Sequence, residues 1–236
     1  MRAIYKREML SYFTSPMGYI FMAVFMAMSG ILFSFSTFLT NSTETSGYFM
    51  LLLFVFIVVI PLLTMKLMSE ERKLKTEQIL LTAPVSIPAI ILAKFFAAYT
   101  MFSITFILSE IMHFAVLSNF ADNINYAQAF GTIIGVLLIG AAFIAVGLFI
   151  SSLTESQIVA AISTIAAILV LICIAYLANY IPNTFVAGIV RWFAILSRFS
   201  PFTIGILDLA SIIYYISLAV IFIFLSVRVY EKRRWS

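Results

Sequence analysis

Lys66 to Lys94 reads KLMSEERKLKTEQILLTAPVSIPAIILAK, a polar island between two long apolar runs. It holds five of the fourteen lysines and arginines and three of the ten carboxylates. The 236-residue chain around it is 64% hydrophobic and 10% charged, with a mean hydropathy of +1.13. Soluble domains run nearer ~45–50% apolar and ~25% charged. No soluble core of this length hides so much apolar surface, so the chain reads as an integral membrane protein. The island then reads as a segment held outside the bilayer.

Working outward from it, six apolar segments reach the roughly 20 residues that a bilayer-crossing helix needs: about 17–39, 49–68, 89–117, 127–151, 156–179 and 208–228. Lipid offers the backbone no hydrogen-bond partner, and runs this long without alternation are helices rather than barrel strands. The expected fold is therefore all-α with six transmembrane helices. An even number of spans puts both termini on one side. Twelve of the fourteen basic residues fall at the termini and in the island; only Arg191 and Arg198 fall on the other side. The positive-inside rule places the island and both termini in the cytoplasm. It also accounts for the net charge of +4, so nucleic acid is not an expected partner. The single cysteine, Cys173, excludes an internal disulfide. The run from Met17 to Leu39 exceeds a signal-peptide core, so no cleavable leader is expected.

Residues 1–15 place Tyr5, Met9 and Tyr12 at helical spacing among basic residues, which predicts an amphipathic helix in the cytoplasmic interface. Ser15-Pro16 should end it. The outer loop 180–207 carries Val186, Ile189, Val190 and Phe193 at helical spacing, which predicts a short amphipathic or re-entrant helix ended by Ser200-Pro201. Gly131-x-x-x-Gly135 in the fourth span permits close helix approach, as do Ala160, Ser163, Thr164 and Ala167 in the fifth. Whether these faces pack within a subunit or across a dimer stays open. Pro61 should kink the second span.

Ionisable residues inside a span are costly and mark function. Glu110 and His113 stand at i and i+3 in the outer half of the third span. Glu-x-x-His is half of a di-metal carboxylate motif, but His113 is the only histidine, so no metal site is expected. The pair reads first as a hydrogen-bonded cluster near the outer interface, with the lining of an exit path as the alternative. Asp208 reads as a carboxylate at the start of the sixth span, favoured by the helix dipole, or as a partner of Arg198 or Arg191. Together these five are the candidates for a path or gate. No hydrolytic motif and no P-loop are present, so the chain is not expected to be an enzyme or to bind ATP by that route.

The island itself divides. Ser69 to Lys75 is charged and should continue the second span into the cytoplasm. Thr76 to Leu81 is a short helix candidate, with Thr76 as N-cap and Glu77 in its first turn. Ala83-Pro84 stops it. A loop that merely holds topology explains the lysines and arginines. It does not explain Ile79, Leu80 and Leu81, three bulky apolar residues in a row, a pattern that marks a partner or the membrane surface.

Glu70-Glu71-Arg72, the run Thr76 to Ser86 and the downstream Lys94 resemble the cytosolic coupling segment of ABC type-2 permeases. Their pattern is roughly E-x-R-x-x-G-T-x-E-x-L-L-x-x-P-V, and here Lys75 stands where glycine is usual. Arg7-Glu8 with the run Phe13 to Tyr19 is similar to the family's N-terminal interfacial helix. Ser200-Pro201-Phe202, Gly205, Asp208 and Tyr214-Tyr215 are similar to its gliding-motility and copper-maturation branches. The resemblance covers the whole chain and implies one six-span permease domain over 1–236, with a coupling segment at 69–88 and an outer helical hairpin at 180–207. It implies coupling residues Glu70, Glu71, Arg72, Thr76, Glu77, Ile79, Leu80, Leu81 and Pro84. It further implies an ATP-driven exporter in a prokaryotic plasma membrane, with a second permease copy or paralogue and a separate P-loop ATPase subunit that holds ATP and Mg. This chain would hold no cofactor. Some gene neighbourhoods of this branch add an extracytoplasmic auxiliary subunit, and that partner stays open. A stand-alone secondary transporter or channel is the alternative; no half-to-half repeat supports it. An intramembrane enzyme ranks last, for want of a catalytic set.

Overall fold

A computed structural model describes residues 1–37, 46–78, 85–120, 125–177, 180, 183, 188, 190 and 194–234. Among these residues every regular element is a helix: α1 (Arg2–Thr14), α2 (Pro16–Thr37), α3 (Ser46–Thr64), α4 (Ser69–Lys73), α5 (Ile87–Phe120), α6 (Tyr126–Leu153), α7 (Gln157–Leu177), α8 (Ile195–Thr203) and α9 (Leu209–Arg234). Six helices are long and apolar enough to cross a membrane: α2, α3 continued through a turn into α4, α5, α6, α7 and α9. They fall on the six segments that hydropathy selects. The protein is an all-α, multi-pass membrane protein.

Helix α1 ends where expected. Ser15 is extended, with φ −100° and ψ 153°, because Pro16 disfavours the helical conformation in the residue before it. The chain then turns sharply into α2; a Cβ on Gly18 would lie 2.2 Å from the Tyr12 carbonyl oxygen. The turn lays α1 across the bundle, where the Tyr5 hydroxyl donates to Thr100 Oγ1 at 3.1 Å and that of Tyr12 donates to the Leu63 carbonyl at 3.3 Å. Burial, and then the charge of Glu8, pushes the Tyr12 phenol well up. Pro61 lies inside α3, where its missing N–H deprives the Ile57 carbonyl of a helical donor.

Helix α6 is the hub, packing on α3, α5, α7, α8 and α9. Its glycines make this possible. An added Cβ would stand 2.3 Å from Thr64 Oγ1 at Gly147, 2.3 Å from the Phe102 ring at Gly140 and 2.8 Å from Phe202 at Gly135. The stripe from Gly131 to Gly135 is thus filled within the subunit, by α8 and the turn after it. On α7, Ala160 and Thr164 join Ile168 and Ile172 on the buried face, while Ser163 is exposed.

Helix α8 departs from expectation. It runs through Ser200-Pro201 and ends at Thr203. Pro201 removes only the N–H that would have reached the Ser197 carbonyl. Burial of Phe199 and Phe202 on either side of it, both 0% exposed, outweighs that single bond. The stop comes instead at Gly205, whose φ of +84° suits the residue without a Cβ. There α6 clamps the turn: Thr132 Oγ1 donates to the Phe202 carbonyl at 3.0 Å and Gln128 Nε2 to that of Thr203 at 2.7 Å. Helix α8 is therefore packed into the bundle, as a re-entrant segment must be. Val186, Ile189 and Phe193 of the expected outer hairpin lie outside the described residues.

Gly147→Ala must part α3 from α6 and is expected to destabilise the fold by roughly 1–3 kcal/mol. Gly30→Ala, with no atom within 4 Å of the added carbon, should leave thermal unfolding in detergent unchanged.

Candidate functional site

The island begins with a turn held from above by α6. Ser151 Oγ accepts the backbone N–H groups of Met68 and Ser69, each at 3.2 Å, and donates to the Met65 carbonyl at 3.2 Å. One hydroxyl thus satisfies three backbone groups where α3 stops. Helix α4 follows, with Glu70 and Glu71 in its first turn and Arg72 and Lys73 in its last, the order the helix dipole favours. Lys75 then turns the chain with φ +56°, a left-handed conformation that costs a side chain. That is the position where the coupling pattern usually has glycine, and the turn explains why. Thr76 closes back onto the Glu71 carbonyl through its N–H at 2.9 Å and its hydroxyl at 3.3 Å.

Glu71, Arg72, Glu77 and Lys94 of the island turn inward, while Lys73 and Lys75 are exposed. Lys94 on α5 is 1% exposed, and its Nζ lies 3.2 Å from Glu8 of α1, 3.0 Å from Glu71 of α4 and 2.7 Å from the Leu67 carbonyl. Arg7 completes the cluster, 2.6 Å from both Glu8 and Glu71. Partial burial works to lower the Arg7 guanidinium, but the two carboxylates carry it above its ordinary value. Two cations and two anions therefore tie α1, α4 and α5 together.

A second cluster ties the island to α6 and α9. Arg72 reaches Glu155 at 2.9 Å and donates to the Leu153 carbonyl at 2.9 Å. Arg233, near the end of α9, lies 3.4 Å from Glu77 and donates to the Ser152 carbonyl at 2.5 Å. Carbonyls in the last turn of a helix have no partner within it. Here one arginine from each flanking element supplies the donor and its charge complements the dipole. The two terminal helices meet the island at the same end of the bundle.

Of the sequence candidates, Glu71, Arg72, Thr76 and Glu77 are brought into one polar layer, while the half-exposed Glu70, among the described residues, has its one ion pair with Lys66, at 4.0 Å. Ile79, Leu80, Leu81 and Pro84 lie outside the described residues, as does Arg191. The layer also draws in Ser151, Glu155 and Arg233, none of which was singled out. For Glu155 and Arg233 the one signal was charge scarcity: in so apolar a chain, each ionisable group near an interface needs a partner.

At the far end, the Tyr48 hydroxyl donates to Glu110 Oε1 at 2.6 Å and lies 3.2 Å from His113 Nδ1. Phe33 stacks on the imidazole at 4.4 Å between ring centres. Beside them Ser29 and Ser109 share a hydrogen bond of 2.7 Å. The bland reading of Glu110 and His113 as a hydrogen-bonded cluster fits this geometry. Asp208 caps α9, accepting from Ser211 N–H at 3.0 Å, Ser211 Oγ at 2.6 Å and Ala210 N–H at 3.2 Å. Arg198 lies over the Tyr214 ring, at 5.9 Å, and its charge also acts on the Asp208 carboxylate. No group of three or more metal-binding side chains occurs among the described residues.

Residues 34–229 match the family described as ABC-2 family transporter protein. The chain belongs to the ABC-2 transporter family. It is thus a permease, the membrane component of an ABC transporter. Among curated proteins no individual relative matches the chain. The ABC-2 match covers the island, both polar clusters' α4 to α6 components and Tyr48, Glu110 and His113 of the outer group, while α1, Ser29 and Phe33 lie ahead of it and Arg233 after it.

Lys94→Met in this permease leaves Glu8 and Glu71 facing each other with one fewer cation; the expected loss is about 3–5 kcal/mol, read by thermal unfolding. Lys75→Gly relieves the left-handed turn and should raise stability by up to about 1 kcal/mol. The Ser211 hydroxyl, with the Ser211 and Ala210 N–H groups, holds the Asp208 carboxyl below the usual carboxylate range. Its cap therefore stabilises above the unfolded-state value and is lost as pH falls through the lower folded one. Asp208→Ala should remove that acid-side dependence, and Asp208→Asn should preserve the fold at neutral pH.

Proposed function

We infer that this permease is the membrane half of an ATP-driven exporter, docked through segment 69–88 to a separate cytosolic P-loop ATPase. The observation that carries the reading is the inward turn of Glu71, Arg72, Glu77 and Lys94. A loop that only holds topology leaves its carboxylates in water. Here Glu71 is gripped by α1 and α5, Glu77 by α9, and Arg72 by the end of α6. Such anchoring makes the segment a lever. A push on it would travel through Lys94 into α1 and α5 and through the two arginines into α6. In this reading Ile79, Leu80 and Leu81 form the socket contact, and ATP with Mg stays in the partner.

The same reading places the island and both termini in the cytoplasm of a prokaryote, the whole chain 1–236 forming one permease domain in its plasma membrane. Two permease copies, or one copy and a paralogue, would enclose the path; α2 and α7 are the least buried of the six spans, with Ile158, Ile162 and Val170 exposed on α7. The route is greasy, which favours an amphipathic or lipid-linked cargo. An extracytoplasmic auxiliary subunit would have the far-end loops available to it.

Extraction of the tagged chain in mild detergent is expected to recover a P-loop ATPase. Leu80→Asp should cut that recovery at least tenfold, while Glu71→Ala should retain the ATPase but lower transport-coupled hydrolysis. A chain that brings down no ATPase under any mild extraction, and whose native activity ignores both substitutions, defeats the reading.

A further inference from the structure

Between α5 and α6, toward the far end, lies a groove of about 570 Å³. Its walls are apolar, chiefly Ile107, Ile111, Phe114, Phe130 and Ile133, and among the described lining residues Glu110 is the one with a carboxylate. The volume falls within the ~300–1,000 Å³ of small-molecule sites. Glu110 stands sixteen residues beyond Lys94 on one continuous helix. At 1.5 Å per residue that is about 24 Å. With Lys94 at the membrane boundary and a hydrocarbon core of about 30 Å, the carboxylate lies inside the core, in the third farthest from the island. Ser118 and Tyr126 line the outer rim of the groove, and Tyr126, Phe130 and Ile111 are exposed.

The carboxylate is buried, 3% exposed for the residue, and it is held from behind. Tyr48 donates its only proton to Glu110, so its oxygen is left to accept from His113 Nδ1. Glu110 lines the apolar groove, while its Oε1 is held by Tyr48 and lies 3.7 Å from Nδ1 of the stacked His113. In so low a dielectric a cation brought to a carboxylate is bound more strongly than in water.

We propose that this groove binds a lipophilic amine: an apolar body of drug-like size carrying a single ammonium that pairs with Glu110. The body fills the space between α5 and α6, and Ser118 and Tyr126 hydrogen-bond any polar end at the rim. The site is a property of the permease itself. It deepens the exporter reading by naming a cargo or effector class, and it rests on that reading only for what binding leads to.

The test uses the full-length permease in nanodiscs, without ATPase or nucleotide, and a photoreactive dodecylamine with its matching alcohol and carboxylic acid. Saturable labelling by the amine is expected on peptides of α5 and α6. Glu110→Gln should weaken the amine at least tenfold and leave the alcohol unchanged. Ala115→Trp, which fills the groove from an exposed position, should abolish labelling by the amine and the alcohol, and the acid should label weakly at most. Matched thermal unfolding of the variants excludes misfolding. Amine and alcohol that label alike and ignore Glu110→Gln overturn the proposal, as does saturable amine labelling that survives Ala115→Trp. Because no ATPase is present, failure here leaves the exporter reading standing, and failure to recover an ATPase leaves this binding result standing.

Discussion

A lysine that loses its water must find charge, and Lys94 is the residue on which this structure turns. Its ammonium is enclosed by Glu8, Glu71 and the Leu67 carbonyl, which come from α1, α4 and the turn between α3 and α4. Removing one partner of such a group is costly because the remainder stays buried and uncompensated. The interfacial helix, the island and the third span therefore cannot move independently. Arg7 binds both carboxylates from the water-facing side, so the cluster is closed and near neutral.

The second constraint is steric. Helix α6 touches most of the bundle because four of its positions carry no side chain. Thr64, Phe102 and Phe202 occupy the space that those side chains would fill. Without a hydrophobic driving force between helices in lipid, close packing of this kind is a main source of cohesion. The hub ends in Ser152 and Leu153, whose carbonyls are bound by Arg233 and Arg72. Charge and packing thus meet at one place, the junction of α6 with the island. A displacement of the island bears on the helix that contacts most of the others.

Much of this was legible in order. Length and hydropathy located six spans, because a bilayer imposes a fixed apolar length on any helix that crosses it. Ser15-Pro16 marked the end of α1, and Asp208 the start of α9, because both act through local backbone geometry. Lys75 was visible as an oddity in the coupling pattern, and its left-handed turn supplies the reason. Ser200-Pro201 misled because a local helix stop competes with burial of Phe199 and Phe202, and burial depends on neighbours far along the chain. Glu155 and Arg233 were missed for the same reason: each gains its meaning from a partner more than eighty positions away along the chain.

The sequence by itself determined a six-span, all-α membrane protein with a charged island between its second and third spans, since these follow from transfer energies and from short-range backbone preferences. Only the tertiary structure decided where the island's charges go. Glu71 with Lys94, Arg72 with the end of α6 and Glu77 with Arg233 are pairings between residues remote in the chain. Any carboxylate in the list could have met any cation until packing of α1, α5, α6 and α9 brought particular ones within reach. The glycines of α6 were readable as places of close approach. What approaches them, α3, α5 and α8 within the same subunit, is a matter of three-dimensional contact alone.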